Sequence, residues 1–122
     1  MAKTAAEMVA EAKARVPEIR PDEAAALGDV LFLDVREPSE VAASGRVKGA
    51  LNVPRGLLEF KADRASPTCD PALDPSRTVV TYCAVGGRAA LAAAALKDLG
   101  FEDVRHMGGF KDWQAAGLPI EE

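Results

Sequence analysis

Two cysteines in 122 residues are too few for a disulfide scaffold, and one histidine leaves too few ligands for a four-ligand zinc site without carboxylates. Aromatic residues are scarce at 5%, and positive charge is not in surplus: 15 Lys and Arg stand against 19 Asp and Glu, a net charge of -4. That balance argues against a nucleic-acid-binding surface, which concentrates cations. No apolar run approaches the ~18 residues of a membrane span, and the opening Met1-Ala2-Lys3-Thr4-Ala5-Ala6-Glu7 lacks an apolar signal core. The expected compartment is therefore the cytoplasm, with neither membrane nor nucleic acid as partner.

What the chain does have is a moderate apolar content. Apolar residues reach 48%, but alanine supplies 24 of them, so the larger side chains must carry the core. Leu, Ile, Val and Phe number 28, enough for one compact domain and too many for a disordered chain.

Residues 4 to 15 read as an alanine-rich N-terminal helix with Met8 and Val9 as its thin apolar face, ended by Val16-Pro17. Pro21-Asp22-Glu23 opens a short helix through Leu27, because proline suits the first turn and acids favour its positive end. Val30-Leu31-Phe32-Leu33-Asp34-Val35 is an almost unbroken apolar run, the mark of a strand buried on both faces. A short helix over 38 to 44 closed by Gly45, a short strand at 50 to 53, and a loop-like stretch from about Lys61 to Arg77 follow. Thr78-Val79-Val80-Thr81-Tyr82-Cys83 is a second clear strand, and a long helix over 88 to 99 stands behind it. A strand around Val104 and a helix over 110 to 116 complete the pattern. This alternation predicts an α/β fold: a mostly parallel central sheet of about five strands with helices on both faces.

The chemistry concentrates in Cys83-Ala84-Val85-Gly86-Gly87-Arg88, the turn between the second strand and the long helix. In open α/β sheets ligands bind beyond the carboxyl ends of the strands, where this turn falls. Adjacent glycines allow the backbone to curl with its N–H groups converging, and a helix N-terminus adds a positive dipole end. An anion cradle is expected, with Cys83 as candidate nucleophile, its thiolate form favoured by the same groups and by Arg88 if that side chain turns inward. The plainer alternative is a small buried residue ending a strand.

At this point the chain resembles the rhodanese (thiosulfate sulfurtransferase) family, in its single-domain form. Leu33-Asp34-Val35-Arg36-Glu37 with Glu40, Gly45, Val47, Gly49-Ala50 and Asn52-Val53-Pro54 is similar to the family's N-terminal signature. Gly108-Gly109-Phe110-Lys111-Asp112-Trp113 with Gly117-Leu118-Pro119 is similar to its C-terminal one. The resemblance spans about 18 to 120, which divides the chain into a helical extension over 1–17 and a rhodanese-like domain over 18–122. It implies a persulfide mechanism: Cys83 takes a sulfane sulfur from thiosulfate or another persulfide donor and passes it to cyanide or a thiol, without cofactor or metal. A protein sulfur acceptor is a further expected partner. Ala84, Val85, Gly86, Gly87 and Arg88 would bind the substrate. Related phosphatases and arsenate reductases carry one more residue in this loop, so six residues favour sulfur chemistry. Ala84 departs from the basic residue often found there in efficient thiosulfate users, which leaves a partner-specific relay module as the alternative.

Asp34 and Arg36, at the end of the first strand, are expected near the mouth as supporting residues, with Arg36 paired to Glu40 as the structural reading. Arg88 either faces the anion or ties the loop to Asp34. Cys69 reads as an incidental exposed thiol rather than a resolving one, and His106 as a hydrogen-bonded structural residue rather than a proton carrier. Phe101, Phe110 and Trp113 are expected in the core.

Overall fold

The computed structural model describes residues 2–122. Helix α1, Ala5–Arg15, starts where Thr4 accepts the Glu7 N–H at 3.0 Å and Glu7 Oε1 accepts the Thr4 N–H at 3.1 Å, a reciprocal cap for two otherwise unpaired donors. Helix α2, Pro21–Ala26, follows with proline in its first turn, where the missing N–H costs nothing. Strand β1, Leu31–Asp34, leads into helix α3, Pro38–Ser44; then come β2, Arg46–Val47, β3, Leu51–Asn52, a 3₁₀ turn at Arg55–Leu57 and helix α4, Leu58–Ala62. Strand β4, Thr78–Cys83, helix α5, Gly87–Asp98, strand β5, Asp103–Gly109, helix α6, Phe110–Ala115, and β6, Ile120–Glu121, complete the chain.

The main sheet runs β3-β1-β4-β5 and is parallel throughout. Its strands alternate between two cores, as a period of two requires. Leu31, Leu33, Val79, Cys83 and Val104 face a core shared with α1, α4 and α5. Phe32, Val80, Tyr82 and Met107 face the other, with Ala24 of α2 and Phe110 and Trp113 of α6. Phe101, Phe110 and Trp113 are all buried, and Trp113 meets Phe32 edge-on at 5.2 Å. Helices thus cover both faces.

The strand count differs from the expected five. Four strands form the main sheet, and Glu18 adds a single parallel bridge beside His106, with the Ile19 N–H donating to the His106 carbonyl and the His106 N–H to the Pro17 carbonyl. Pro17 and Pro21 flank this segment and bring no N–H, so pairing cannot extend. The β2 and β6 strands form a separate antiparallel pair, each too short to leave an apolar period in the sequence.

Alanine explains how α1 fits. Ala89, Ala90, Ala92, Ala93 and Ala94 of α5 are buried, and α1 packs on the same helix with Ala12 and Val16 in the shared core. Side chains this small let helices approach closely. The segment from 63 to 77 has no helix or strand, yet it is ordered by three aspartates. Asp63, Asp70 and Asp74 each accept the N–H two residues on, at 2.9 Å, from Ala65, Ala72 and Ser76.

Candidate functional site

Cys83 is the last residue of β4 and shares with Val79 and Thr81 the face turned to α5. That parity aims its sulfur at the start of the helix. The Gly86 N–H donates to Cys83 Sγ at 2.9 Å and the Ala89 N–H donates at 3.3 Å. Two backbone dipoles therefore meet one sulfur, which is otherwise removed from solvent. Gly86 lies at φ +116, a region side chains rarely adopt, and an added Cβ would come within 3.3 Å of the Gly108 Cα. Gly87 is already helical, so only one of the two glycines makes the curl.

The loop leans on the end of β5. Cys83 stands opposite Gly109 after an irregularity in the β4–β5 register, and a Cβ on Gly109 would sit 2.3 Å from the Ala84 carbonyl oxygen. This contact fixes where the loop can run. Ala84 is half-buried, whereas Val85 projects at the tip with 83% exposure.

Arg88 is committed to neither of its expected partners. Its Nη1 and Nη2 donate to Glu40 Oε1 and Oε2 at 2.7 and 2.9 Å, so the first turn of α5 is tied to α3 rather than to Asp34. Glu40 Oε1 also accepts the Glu37 N–H at 2.9 Å. The Arg88 hydrogen bonds, helped by that N–H, hold the Glu40 carboxyl down at about 2.

The expected Arg36–Glu40 pair is replaced by another. Arg36 Nη2 donates to Asp34 Oδ2 at 2.7 Å and Nε to Oδ1 at 3.0 Å, while Nη1 reaches the Ser44 hydroxyl and Nη2 the Gly45 carbonyl, each at 2.7 Å. Geometry explains the choice: residues two apart on an extended strand end face one side, and both groups are buried, where an unpaired charge is costly. Burial opposes the Arg36 charge, but the Asp34 carboxylate outweighs it and raises the guanidinium above its ordinary value. Its Cζ lies 4.5 Å from the Phe110 ring centroid. Asn52 donates to the carbonyls of Asp34 and Arg36 at 2.9 Å, and the Val47 N–H donates to the Tyr82 hydroxyl at 3.0 Å. Arg36 thus ties the end of β1, through Asp34, to the end of α3, through Ser44 and Gly45.

Two clefts flank the loop. One, of about 300 Å³, is lined by Arg36, Glu40, Ser44, Ala84, Phe110, Lys111 and Gln114. The other, of about 190 Å³, includes Val85, Gly86 and His106. His106 is buried, and burial lowers its imidazole below the ordinary value despite the Glu18 carboxylate. Its Nε2 has no hydrogen-bond partner. Cys69 is a half-buried free thiol, in no disulfide with Cys83. Among the described residues no cluster of three His, Cys, Asp or Glu could hold a metal ion. No described helix is long and apolar enough to cross a membrane.

Sequence patterns had singled out the loop, Asp34 and Arg36. They missed the Arg88–Glu40 clasp and the contribution of Lys111 to the mouth. A carboxylate three residues into α3 is a weak sign that it reaches across to another helix.

The Rhodanese-like domain family model matches residues 9–116. The chain belongs to that family. A sulfurtransferase of Allochromatium vinosum is 34% identical over 93 residues, covering 75% of this chain and 78% of that one. Several other curated relatives are longer, and the chain spans 39% of one of them. Among solved rhodanese-like and related structures, RPA3614 of Rhodopseudomonas palustris, a protein of unknown function and possible tyrosine phosphatase, is 36% identical with a TM-score of 0.92. The alignment covers 99% of this chain and 96% of that one. A polysulfide-sulfur transferase homodimer from Wolinella succinogenes is 33% identical with a TM-score of 0.74, covering 93% and 83% of the two chains. The rhodanese-like fold here is therefore shared almost end to end with solved proteins.

Proposed function

We propose that the protein is a sulfurtransferase that carries a sulfane sulfur as a Cys83 persulfide. One observation carries this reading: Cys83 Sγ accepts the N–H groups of Gly86 and Ala89 at the base of a six-residue loop. Negative charge on that sulfur is met by fixed dipoles that need no rearrangement. In the forward step the Cys83 thiolate attacks the outer sulfur of thiosulfate. A sulfur–sulfur bond forms to Cys83, the bond to the inner sulfur breaks, and sulfite leaves with the electron pair. The terminal persulfide sulfur then passes to cyanide or a thiolate, and the Cys83 thiolate is regenerated. Ala84 to Arg88 frame the incoming sulfur, Arg36 ties β1 to α3 through Asp34, and Glu40 fixes Arg88. Neither step needs a general base, which agrees with the burial of His106.

The test is steady-state thiocyanate formation from thiosulfate and cyanide, with donor and acceptor varied together. Parallel double-reciprocal lines are expected, with Cys83→Ser inactive. Undiminished turnover in Cys83→Ser would reject the assignment.

A phosphatase is the second reading, prompted by the description of the Rhodopseudomonas palustris protein. The loop from Cys83 to Arg88 has six residues, one fewer than the related phosphatases carry, and both terminal nitrogens of Arg88 are already engaged by Glu40. Turnover of an aryl phosphate is accordingly expected to be absent. A relay to one protein partner is supported by the exposed apolar tip at Val85. It would show as sulfur passing to that partner with little thiocyanate formed.

A further inference from the structure

Helix α5 starts without a side-chain cap. Its N-cap is Gly86, which has no side chain to accept the free N–H groups of the first turn. Cys83 Sγ takes that place. It accepts the N–H of Ala89, the third residue of the helix, at 3.3 Å, while the Gly86 carbonyl accepts the Ala90 N–H at 3.0 Å. How well this N–H meets negative charge on the sulfur depends on how closely the first turn of α5 is held to the end of β4.

Ala89 is held from β4 at both of its polar backbone atoms. Its N–H goes to Cys83 Sγ, and its carbonyl accepts the Thr81 hydroxyl at 2.8 Å. Thr81 and Cys83 stand two apart on the strand and so face α5 together. The hydroxyl has a second backbone carbonyl nearby, that of Arg105, but at 3.5 Å, so its single proton is committed to Ala89. Thr81 is 0% exposed, and its neighbours on this face, Val79 and Cys83, belong to the apolar core. A hydroxyl there is costly unless it is bonded, and a valine would fill the same space without that cost. Among the described residues no other side chain of the sheet donates to the backbone of α5.

We infer that Thr81 is a positioning residue for Cys83: its hydroxyl holds the Ala89 carbonyl to β4 and thereby fixes the Ala89 N–H against the sulfur. Thr81 acts through Ala89 and not on donor or acceptor. Its part in sulfur transfer rests on the sulfurtransferase reading of Cys83, whereas its action on the Cys83 sulfur does not. A methyl group in place of the hydroxyl sets carbon against a carbonyl oxygen and lets the first turn of α5 lift from β4. The Gly86 N–H, placed by the loop, remains, and the Ala89 N–H withdraws. Negative charge on Cys83 is then met by one fixed dipole instead of two.

Two substitutions divide the side chain for the test. Thr81→Val keeps the shape and removes the hydroxyl, and Thr81→Ser keeps the hydroxyl and removes the methyl group. Ionisation of Cys83 is followed across pH by the ultraviolet absorbance of the thiolate in a Cys69→Ser parent, where Cys83 is the only thiol. The sole tyrosine, Tyr82, does not overlap, because burial pushes its phenol up. At the pH where the parent is half ionised, Thr81→Val is expected to be about one-quarter ionised or less, and Thr81→Ser to match the parent. Thiocyanate formation by Thr81→Val should fall about twofold or more at that pH, with most of the difference gone at higher pH. If Thr81→Val does not fold, as judged by circular dichroism, Thr81→Ala against Thr81→Ser makes the same comparison, since these differ only in the hydroxyl. An unchanged ionisation profile without the hydroxyl, or a shift in Thr81→Ser as large as that in Thr81→Val, would overturn the inference and leave Thr81 a packing residue. If the profile shifts as expected while no sulfane donor yields thiocyanate, the sulfurtransferase reading falls and the positioning of Cys83 by Thr81 stands.

Discussion

Arg88 and Glu40 meet through two parallel hydrogen bonds, at 2.7 and 2.9 Å, that join the helix behind the sulfur loop to the helix after β1. The pair is about one-third exposed on each side, so its contribution to stability is small, ~0–1 kcal/mol. Its importance lies in position, since Arg88 is the residue that ends the loop. Glu40→Gln and Arg88→Ala are each expected to lower kcat about tenfold while shifting the urea midpoint little. Combining them should cost little more than either alone, because both remove one clasp. Additive losses in kcat would show that they act independently.

The same pair sets a pH expectation. Glu40 is held at about 2 by Arg88, so whatever stability the clasp gives is complete above the ordinary carboxyl range and is lost as pH falls toward 2. Activity between pH 5 and 8 should carry no inflection that disappears in Glu40→Gln. A pH–rate profile of both proteins checks this.

Asp34 and Arg36 form a buried pair, with side chains 0% and 4% exposed. Asp34→Ala strands a buried guanidinium and is expected to cost about 3–5 kcal/mol in urea unfolding. Removing both, as Asp34→Leu with Arg36→Met, should recover part of that loss, because no orphan charge remains.

Gly109 allows the loop to touch β5. Gly109→Ala would force a methyl group to 2.3 Å from the Ala84 carbonyl oxygen, backbone that cannot move without displacing the loop. A loss of about 1–3 kcal/mol and a large loss of sulfur transfer are expected. Gly56→Ala, with nothing within 4 Å, is the matched control and should leave both unchanged.

His106 makes thermal stability depend on pH. Burial lowers its imidazole, so below its ordinary value the unfolded chain binds the proton more readily than the folded one. Stability should therefore fall as pH drops from about 7 through the ordinary histidine range, ~6.5. Melting temperatures of the protein and of His106→Gln over that range test it, and the variant should lose this component of the slope.

Much of this architecture was legible because its signals are local. The runs at Leu31–Asp34 and Thr78–Cys83 are apolar on both faces, as strands covered by helices must be, and Gly45 and Gly100 end helices where glycine is expected. The loop was legible for the same reason: strand, cysteine, glycines and helix are consecutive. The Arg88–Glu40 clasp was not, since it is settled by where two distant elements meet, and the Arg36–Asp34 pair was missed although its partners stand only two residues apart. Arg36 had been assigned the partner that Arg88 takes, because sequence spacing ranks helix neighbours and says nothing of a third element. The two-residue strands β2 and β6 escaped notice because a period of two needs more than one repeat to be seen.

Intact-mass spectrometry after incubation with thiosulfate tests the central claim most directly. The account predicts a gain of one sulfur atom, localised by peptide mapping to Cys83, removed by cyanide and absent in Cys83→Ser. Sulfur found on Cys69 instead, or a Cys83 thiol that stays unmodified with every sulfane donor, would contradict it.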